Sequence, residues 1–292
     1  MPLDPTRVGT VTGPHAVRWT DKDSLLYALA IGAGQDDPLA ELAFTTENSG
    51  GVTQQVIPTF GVVLGLVHGL PDVGDFDPTR AVHAEQEFEV DGPLPAAGEA
   101  HVVTTVTEIW DKDPHAVMWT ESELVDAATG RRLMRSRLGA FFGGAGGFGG
   151  ERGPSPTWTA PERTPDLEVG FASRPDQALL YRLTGDRNPL HADPAFAARG
   201  GFERPILHGM CSYGYAARLL INRLAGGDAS ALRSMAGRFT RPVLPGDALR
   251  LVVWREAGDE GLFQVLTAGG DAVIDRGRFA LASPAASRAD RA

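Results

Sequence analysis

Apolar residues mixed with polar ones form four strand-like runs near the C-terminal end, at 231–241, 247–256, 261–268 and 271–281, which predict β-strands. Just before these runs, Met210, Tyr213, Gly214, Ala217, Leu220, Ile221 and Leu224 fall at spacings of three and four, which predicts an apolar helix face several turns long. Pro205 suits the entrance of that helix and "AGGD" at 225–228 its end. The small residues on its face predict close backbone approach to a surrounding sheet. The first half carries similar segments, with "IPTFGVVLGLV" reading as helix and "AHVVTTVTEIW" as strand. Each half is therefore expected to be one long helix plus several antiparallel strands, an α+β unit whose sheet wraps the helix.

The two halves also share residues at an offset of 151 positions. "GQDDPLA" at 34–40 aligns with "GDRNPLH" at 185–191, so that Gly34 meets Gly185, Pro38 meets Pro189 and Leu39 meets Leu190. The same offset pairs Phe88 with Phe239, and "FEVDGPLPAAGEA" resembles "FTRPVLPGDAL" as a strand running into a Leu-Pro turn. Several matches in the same order point to an internal duplication. The expected division is 1–142 for the first repeat, 143–166 for a Gly- and Pro-rich linker, and 167–292 for the second repeat. Within the stretch 139–166, Gly144-x-Gly146-x-x-Gly149 formally matches a dinucleotide fingerprint, but "ERGPSPT" follows where a helix should open.

Composition narrows the function. The chain has 292 residues, 42% hydrophobic and 22% charged, which is the balance of a globular protein. A formal charge of −10 argues against general nucleic-acid binding. No apolar run is long enough to predict a membrane span. The N-terminal "MPLDPTRVGTV" does not read as a secretory signal, and the C-terminal "RADRA" carries no recognisable address, so a cytoplasmic location is expected. Cys211 is the single cysteine, which excludes an internal disulfide and is read as a small core residue. The seven histidines show no metal-ligand spacing, so no metal is expected. "GRRLMRSR" at 130–137 reads as a solvated strand face that could also attract a phosphate.

The chemistry concentrates in "YRLTGDRNPLHADPAFAARGGFERPILHG", 181–209. Asp186 and His191 are five positions apart and cannot share a helix face, so a loop through Gly185 and Pro189 must bring them together. Asp193-Pro194 reads as the N-cap of a short helix, "PAFAARG". A carboxylate and an imidazole converging on one point can hold a water and move its protons, with Asn188 orienting it. An Asx turn carrying an exposed histidine is the plain alternative. At the repeat offset Asp186 faces Gln35, Asn188 faces Asp37 and His191 faces Ala40, so the first copy keeps the turn and lacks the pair. That asymmetry favours one working site and one retired copy. His208-Gly209 falls in the first turn of the long helix, where an N–H without an intrahelical partner can stabilise a developing oxyanion. A glycine needed only for tight packing is the competing reading there.

The block "YRLTGDRNPLHADPAFAARGGFERPILHGMCSYGYAAR" resembles the signature of the MaoC-like (R)-specific enoyl-CoA hydratases, the hydratase 2 family. The likeness extends to "PTFGVVLG", "HAEQEFEVDGPLPAAGE" and "GGAGGFGG". It implies a double hot-dog fold, two repeats forming one continuous antiparallel sheet around two long central helices. It implies reversible hydration of trans-2-enoyl-CoA to (3R)-3-hydroxyacyl-CoA without cofactor or metal, in a homodimer. It implies catalytic roles for Asp186, His191 and Asn188 and an oxyanion role for Gly209. Family substrate contacts fall on His83, Ala84, Lys112, Arg187, Pro189, Leu190 and Phe239, with Ala84 standing where the family typically has glycine. The degenerate first repeat is then expected to leave room for the acyl chain. Two alternatives remain at this point: a hot-dog dehydratase or thioesterase acting on another acyl thioester, and a non-catalytic acyl-CoA-binding subunit.

Overall fold

The computed structural model describes residues 2–155 and 157–282; the C-terminal "RADRA" lies outside them. Ten strands form one antiparallel sheet: β1 Val11–Trp19, β2 Ala81–Val90, β3 Gly98–Lys112, β4 His115–Asp126, β5 Arg132–Phe142, β6 Leu167–Ala172, β7 Leu232–Phe239, β8 Ala248–Arg255, β9 Glu260–Thr267 and β10 Ala272–Leu281. Among the described residues six α-helices accompany them: α1 Asp21–Ala30, α2 Leu42–Thr45, α3 Thr59–Leu66, α4 Gln177–Tyr181, α5 Pro194–Arg199 and α6 Gly209–Leu224.

The sheet order is β1-β3-β4-β5-β2-β7-β10-β9-β8-β6, so the second half repeats the strand order of the first in mirror sequence about the β2–β7 seam. At that seam Gln86 pairs with Gly237, the residue 151 positions further on. The repeat offset therefore reappears as an approximate twofold axis through one residue pair. The approach at Gly237 is tight: a Cβ would meet Ile274 Cγ2 at 3.0 Å.

The four strand-like runs of the second half are β7 to β10, and α5 begins after Asp193, whose carboxylate accepts from the N–H groups of Ala195 and Phe196. Helix α6 departs from the sequence expectation in two ways. It starts at Gly209 rather than near Pro205, because the Leu207 N–H is committed to the Val243 carbonyl at 2.7 Å and holds 205–208 extended. Every residue from Met210 to Ile221 is buried, so the helix is enclosed on all sides, not along one stripe. The close approach at Gly214 is to α1, where a Cβ would meet Ile31 Cγ2 at 2.5 Å and the Tyr27 hydroxyl at 2.9 Å. Helix α3, the first-half counterpart, spans only eight residues, and Gly69 (φ 76°) and Pro71 follow it closely. Here the small residue does face the sheet: a Cβ on Gly61 would meet Met134 and Leu94.

Residues 143–166 contain no helix or strand among those described. The glycine-rich stretch is folded around the protein's own carboxylate: Asp111 accepts from the N–H groups of Gly147 (2.8 Å) and Gly149 (2.7 Å). Successive backbone donors make an anion-binding concavity, and Asp111 fills it. "GRRLMRSR" behaves as a strand face, with Arg132, Arg135 and Arg137 ion-paired to Asp91, Glu121 and Glu108.

Candidate active site

Gly185, at φ 143°, ends the helical turns after α4 and releases the chain into the loop that carries Asp186. The Asp186 carboxylate accepts from the Asn188 N–H at 3.0 Å, and the Asn188 side-chain oxygen accepts from the Leu190 N–H at 3.0 Å. Asn188 thereby caps the 3-10 turn Pro189–His191, which reverses the chain and delivers His191 beside Asp186. The Asx turn is present, but the histidine it carries is buried beside Asp186 and not exposed.

Asp186 and Asn188 remain exposed, whereas His191 is 8% exposed and His208 1%. His191 Nδ1 lies 2.9 Å from the Ile206 carbonyl oxygen. A carbonyl only accepts, so Nδ1 carries the hydrogen and Nε2 is left as the lone-pair nitrogen. Burial holds the His191 pKa below its ordinary value, opposed by the Ile206 bond and the Asp186 charge. His208, stacked on His191 with ring centroids 3.7 Å apart, is pushed down to about 3 by burial first and by the His191 charge second. Both rings are thus uncharged near neutral pH.

An unfolded histidine protonates near ~6.5, while these two folded ones do so only at lower pH. Below ~6.5 the unfolded chain binds more protons, so the stability present above that value is lost progressively as pH falls toward the folded pKa values. The denaturant midpoint is expected to fall between pH 7.5 and pH 5.5, and a midpoint that rises over this window contradicts the assignment of two buried neutral rings.

A cavity of about 280 Å³ opens in front of the pair, at the seam between the halves. The first half contributes Ala81, Val82 and His83; Asp186, Asn188, Leu190, His191, Gly209 and Phe239 come from the second. His83 Nε2 lies 3.1 Å from the Glu85 carbonyl, its ring packs edge-on to Phe239 at 5.1 Å, and burial lowers its pKa. Met210, Val243, Val273 and Ile274 form an apolar stretch of the same wall. Gly209 is the first residue of α6, so its N–H belongs to the first-turn donors that have no intrahelical acceptor.

Other expected contacts lie apart from this wall. Arg187 and Pro189 are on the exposed side of the loop, and Ala84 sits at the β2 irregularity between His83 and Glu85. Lys112 is engaged with the linker, its ammonium donating to the carbonyl of Pro154 at 3.1 Å and to Ser155 Oγ at 3.3 Å. Partial burial, then the charges of Arg152 and Arg238, lowers the Lys112 pKa, which places three cations near one another. Arg241, which sequence reasoning did not single out, lines the cavity and pairs with Asp271 at 3.2 Å.

Asp186, His191 and His208 each present a potential metal-ligating atom, all within 4.8 Å of one another. Their geometry is poor for a cation. The two imidazoles are stacked at 27°, so lone pairs lying in the ring planes run side by side instead of converging.

In the first repeat the corresponding loop has become scaffold. The Gln35 amide donates to the Ala172 carbonyl and accepts from the Tyr215 hydroxyl at 2.8 Å. Leu39 is 79% exposed where its counterpart Leu190 is 5% exposed, so this loop does not turn inward as the second one does.

The ten-stranded antiparallel sheet is a double hot-dog fold, and it places the chain in the MaoC-like class. The chain matches the MaoC like domain over residues 157–275 and the MFE-2 hydratase 2 N-terminal domain over residues 18–144, and it belongs to this hydratase 2 family. It is 45% identical to 3-hydroxyacyl-thioester dehydratase Y of Mycobacterium tuberculosis, over 93% of this chain and 94% of that protein. It is 41% identical to the enoyl-CoA hydratase ChsH3 of the same organism, over 88% and 91%. Among solved structures, a MaoC-like dehydratase from Phytophthora capsici superposes with a TM-score of 0.85 at 29% identity, covering 98% of this chain and all of the other. The full-length peroxisomal multifunctional enzyme type 2 of Drosophila melanogaster gives 0.80 at 34% identity, covering 92% of this chain and 48% of the other.

Proposed function

We propose that the protein is a hydro-lyase that reversibly hydrates trans-2-enoyl-CoA to (3R)-3-hydroxyacyl-CoA. The observation that carries this reading is that Asp186, His191 and the first residue of α6 all line one cavity. The thioester carbonyl accepts from the Gly209 N–H, which draws electron density away from C3. A water held by Asp186 and His191 adds its oxygen to C3 and gives up one proton to the pair. A proton is delivered to C2 on the same face, so the pair ends in its starting state. The division of proton transfer between the two belongs to the pair as a unit. The apolar wall at Met210, Val243, Val273 and Ile274 receives the first carbons of the acyl chain.

In this reading residues 167–292 supply the chemistry, residues 1–142 supply the His83 side of the cavity and room for the acyl chain, and 143–166 link them. The cations Lys112, Arg152 and Arg238 suit the phosphates of coenzyme A. The protein works as a homodimer in the cytoplasm and needs no cofactor. Among the described residues, no helix is long and apolar enough to cross a membrane.

The test is a series of trans-2-enoyl-CoAs from crotonyl-CoA upward, with chiral analysis of the product. Loss of enoyl absorbance without thiol release, yielding the (3R) alcohol, is expected. Thiol release identifies a thioesterase, and binding with no absorbance change identifies a carrier subunit.

A narrower test uses Gly209→Ala. A Cβ there would stand 3.1 Å from Phe239 Cδ1 and 3.2 Å from Cε1, so the ring must give by a few tenths of an ångström. The N–H survives but its alignment with the Phe239 wall does not, and kcat/KM is expected to fall about tenfold with little change in stability. Wild-type kinetics in this variant would remove Gly209 from the oxyanion role.

A further inference from the structure

His208 immediately precedes Gly209 and caps α6, and its carbonyl accepts from the N–H groups of Cys211 (3.0 Å) and Ser212 (3.4 Å). Its ring lies flat against the His191 ring, centroids 3.7 Å apart. Its Nε2 is 3.3 Å from the Asp186 carbonyl oxygen, so Nε2 carries the hydrogen and donates. Nδ1 is buried with no hydrogen-bond partner. Asp186, His191, Tyr181 and Arg182 are the titratable and charged groups around it. One side chain thus touches the backbone of Asp186 and the ring of His191, while its own backbone leads into the Gly209 N–H.

A core residue chosen only to fill this space would be phenylalanine, which stacks equally well and buries no orphan nitrogen. The feature of histidine used here is the Nε2–H on the Asp186 carbonyl. We propose that His208 is a positioning residue for the hydration reaction: it locks the Asp186 loop by that hydrogen bond and fixes the His191 ring plane by stacking. The inference rests on Asp186 and His191 being the catalytic pair. His208 exchanges no proton with substrate in this role: its Nε2–H is spent on the Asp186 carbonyl and its Nδ1 is buried.

The experiment compares His208→Phe, which keeps the stack and loses the donor, with His208→Gln, whose amide nitrogen can reach the place of Nε2. Asp186→Asn and His191→Ala serve as references; if they remain active, the catalytic reading itself has failed, separately from this inference. With inactive references, His208→Phe is expected to lower kcat about 100-fold while KM moves less than about threefold, since misplacement of a reacting group by ~1 Å costs that order. The acid limb of its kcat profile stays in place, and His208→Gln recovers about tenfold of the loss. Wild-type kcat in His208→Phe, equal losses in both variants, or disappearance of the acid limb each overturns the proposal. The wild-type protein provides a measurement independent of any variant's folding. Imidazole ¹⁵N spectra should show His208 as the uncharged Nε2–H tautomer while His191 titrates, and a charged His208 over that range overturns the proposal equally.

Discussion

Asp186→Asn is expected to fold as the parent does and to lose about 10²–10⁴ of its turnover. Asp186 is exposed, so replacing it removes no core contact. The asparagine keeps an oxygen that can accept from the Asn188 N–H, and the turn that presents His191 survives. What disappears is the anionic partner of the imidazole and one of the two acceptors for the reacting water. His191→Ala is expected to lose turnover to a similar extent, with some loss of stability because a buried ring and its bond to the Ile206 carbonyl are removed. Residues that act as a unit are not additive, so the double variant should be scarcely worse than either single one. Steady-state hydration of crotonyl-CoA with matched denaturation curves checks this. Substantial activity in both single variants would sink the assignment.

The largest stability effect is expected far from that cavity, at Glu41. Its carboxylate accepts from Arg218 Nη1 at 2.9 and 2.7 Å, from Asn222 Nδ2, and from the Gly34 N–H at 3.0 Å. Arg218 lies on α6 with its side chain 6% exposed, and its Nε donates to the Ile31 carbonyl at 3.0 Å. Glu41→Ala leaves this guanidinium buried without its counter-charge, a defect that costs about 3–5 kcal/mol. Chemical denaturation should show that loss, and the double variant Glu41→Ala with Arg218→Met should recover part of it, because an apolar side chain makes no demand for a partner. A Glu41→Ala protein within ~0.5 kcal/mol of wild type would mean that water reaches Arg218 in solution. The pair also explains how the first-half loop is held: Gly34 and Glu41 bracket the counterpart of the Asp186 turn and tie it to α6.

Much of the second half can be read directly from the chain. Strands β7 to β10 follow short strand-like runs of local sequence, and α5 follows from Asp193 and Pro194 at its start. Helix α1 is also signalled locally, because Thr20 and Asp23 form a capping box ahead of "SLLYALA". The α6 boundary was misplaced because Pro205 is a permissive signal, and the Leu207–Val243 bond that delays the helix joins residues far apart in sequence.

For the site the division is similar. Asp186, Asn188 and His191 are close in sequence, so a Gly- and Pro-bounded loop already implies that they meet, and the offset of 151 shows that the first copy lacks the Asp and the His. Sequence spacing cannot show that His208 stacks on His191, that Arg241 reaches the rim, that Lys112 is turned toward the linker, or that Asp111 occupies the glycine nest. Those contacts depend on the register of the β2–β7 seam and on how α6 sits inside the sheet. Periodicity reports which face of an element avoids water; it does not report which distant side chain it will touch there, because packing decides that among many residues of equal hydrophobicity. The sequence by itself determined the repeat, the strands and the Asp186, Asn188 and His191 triplet. The tertiary structure alone decided what holds that triplet in place.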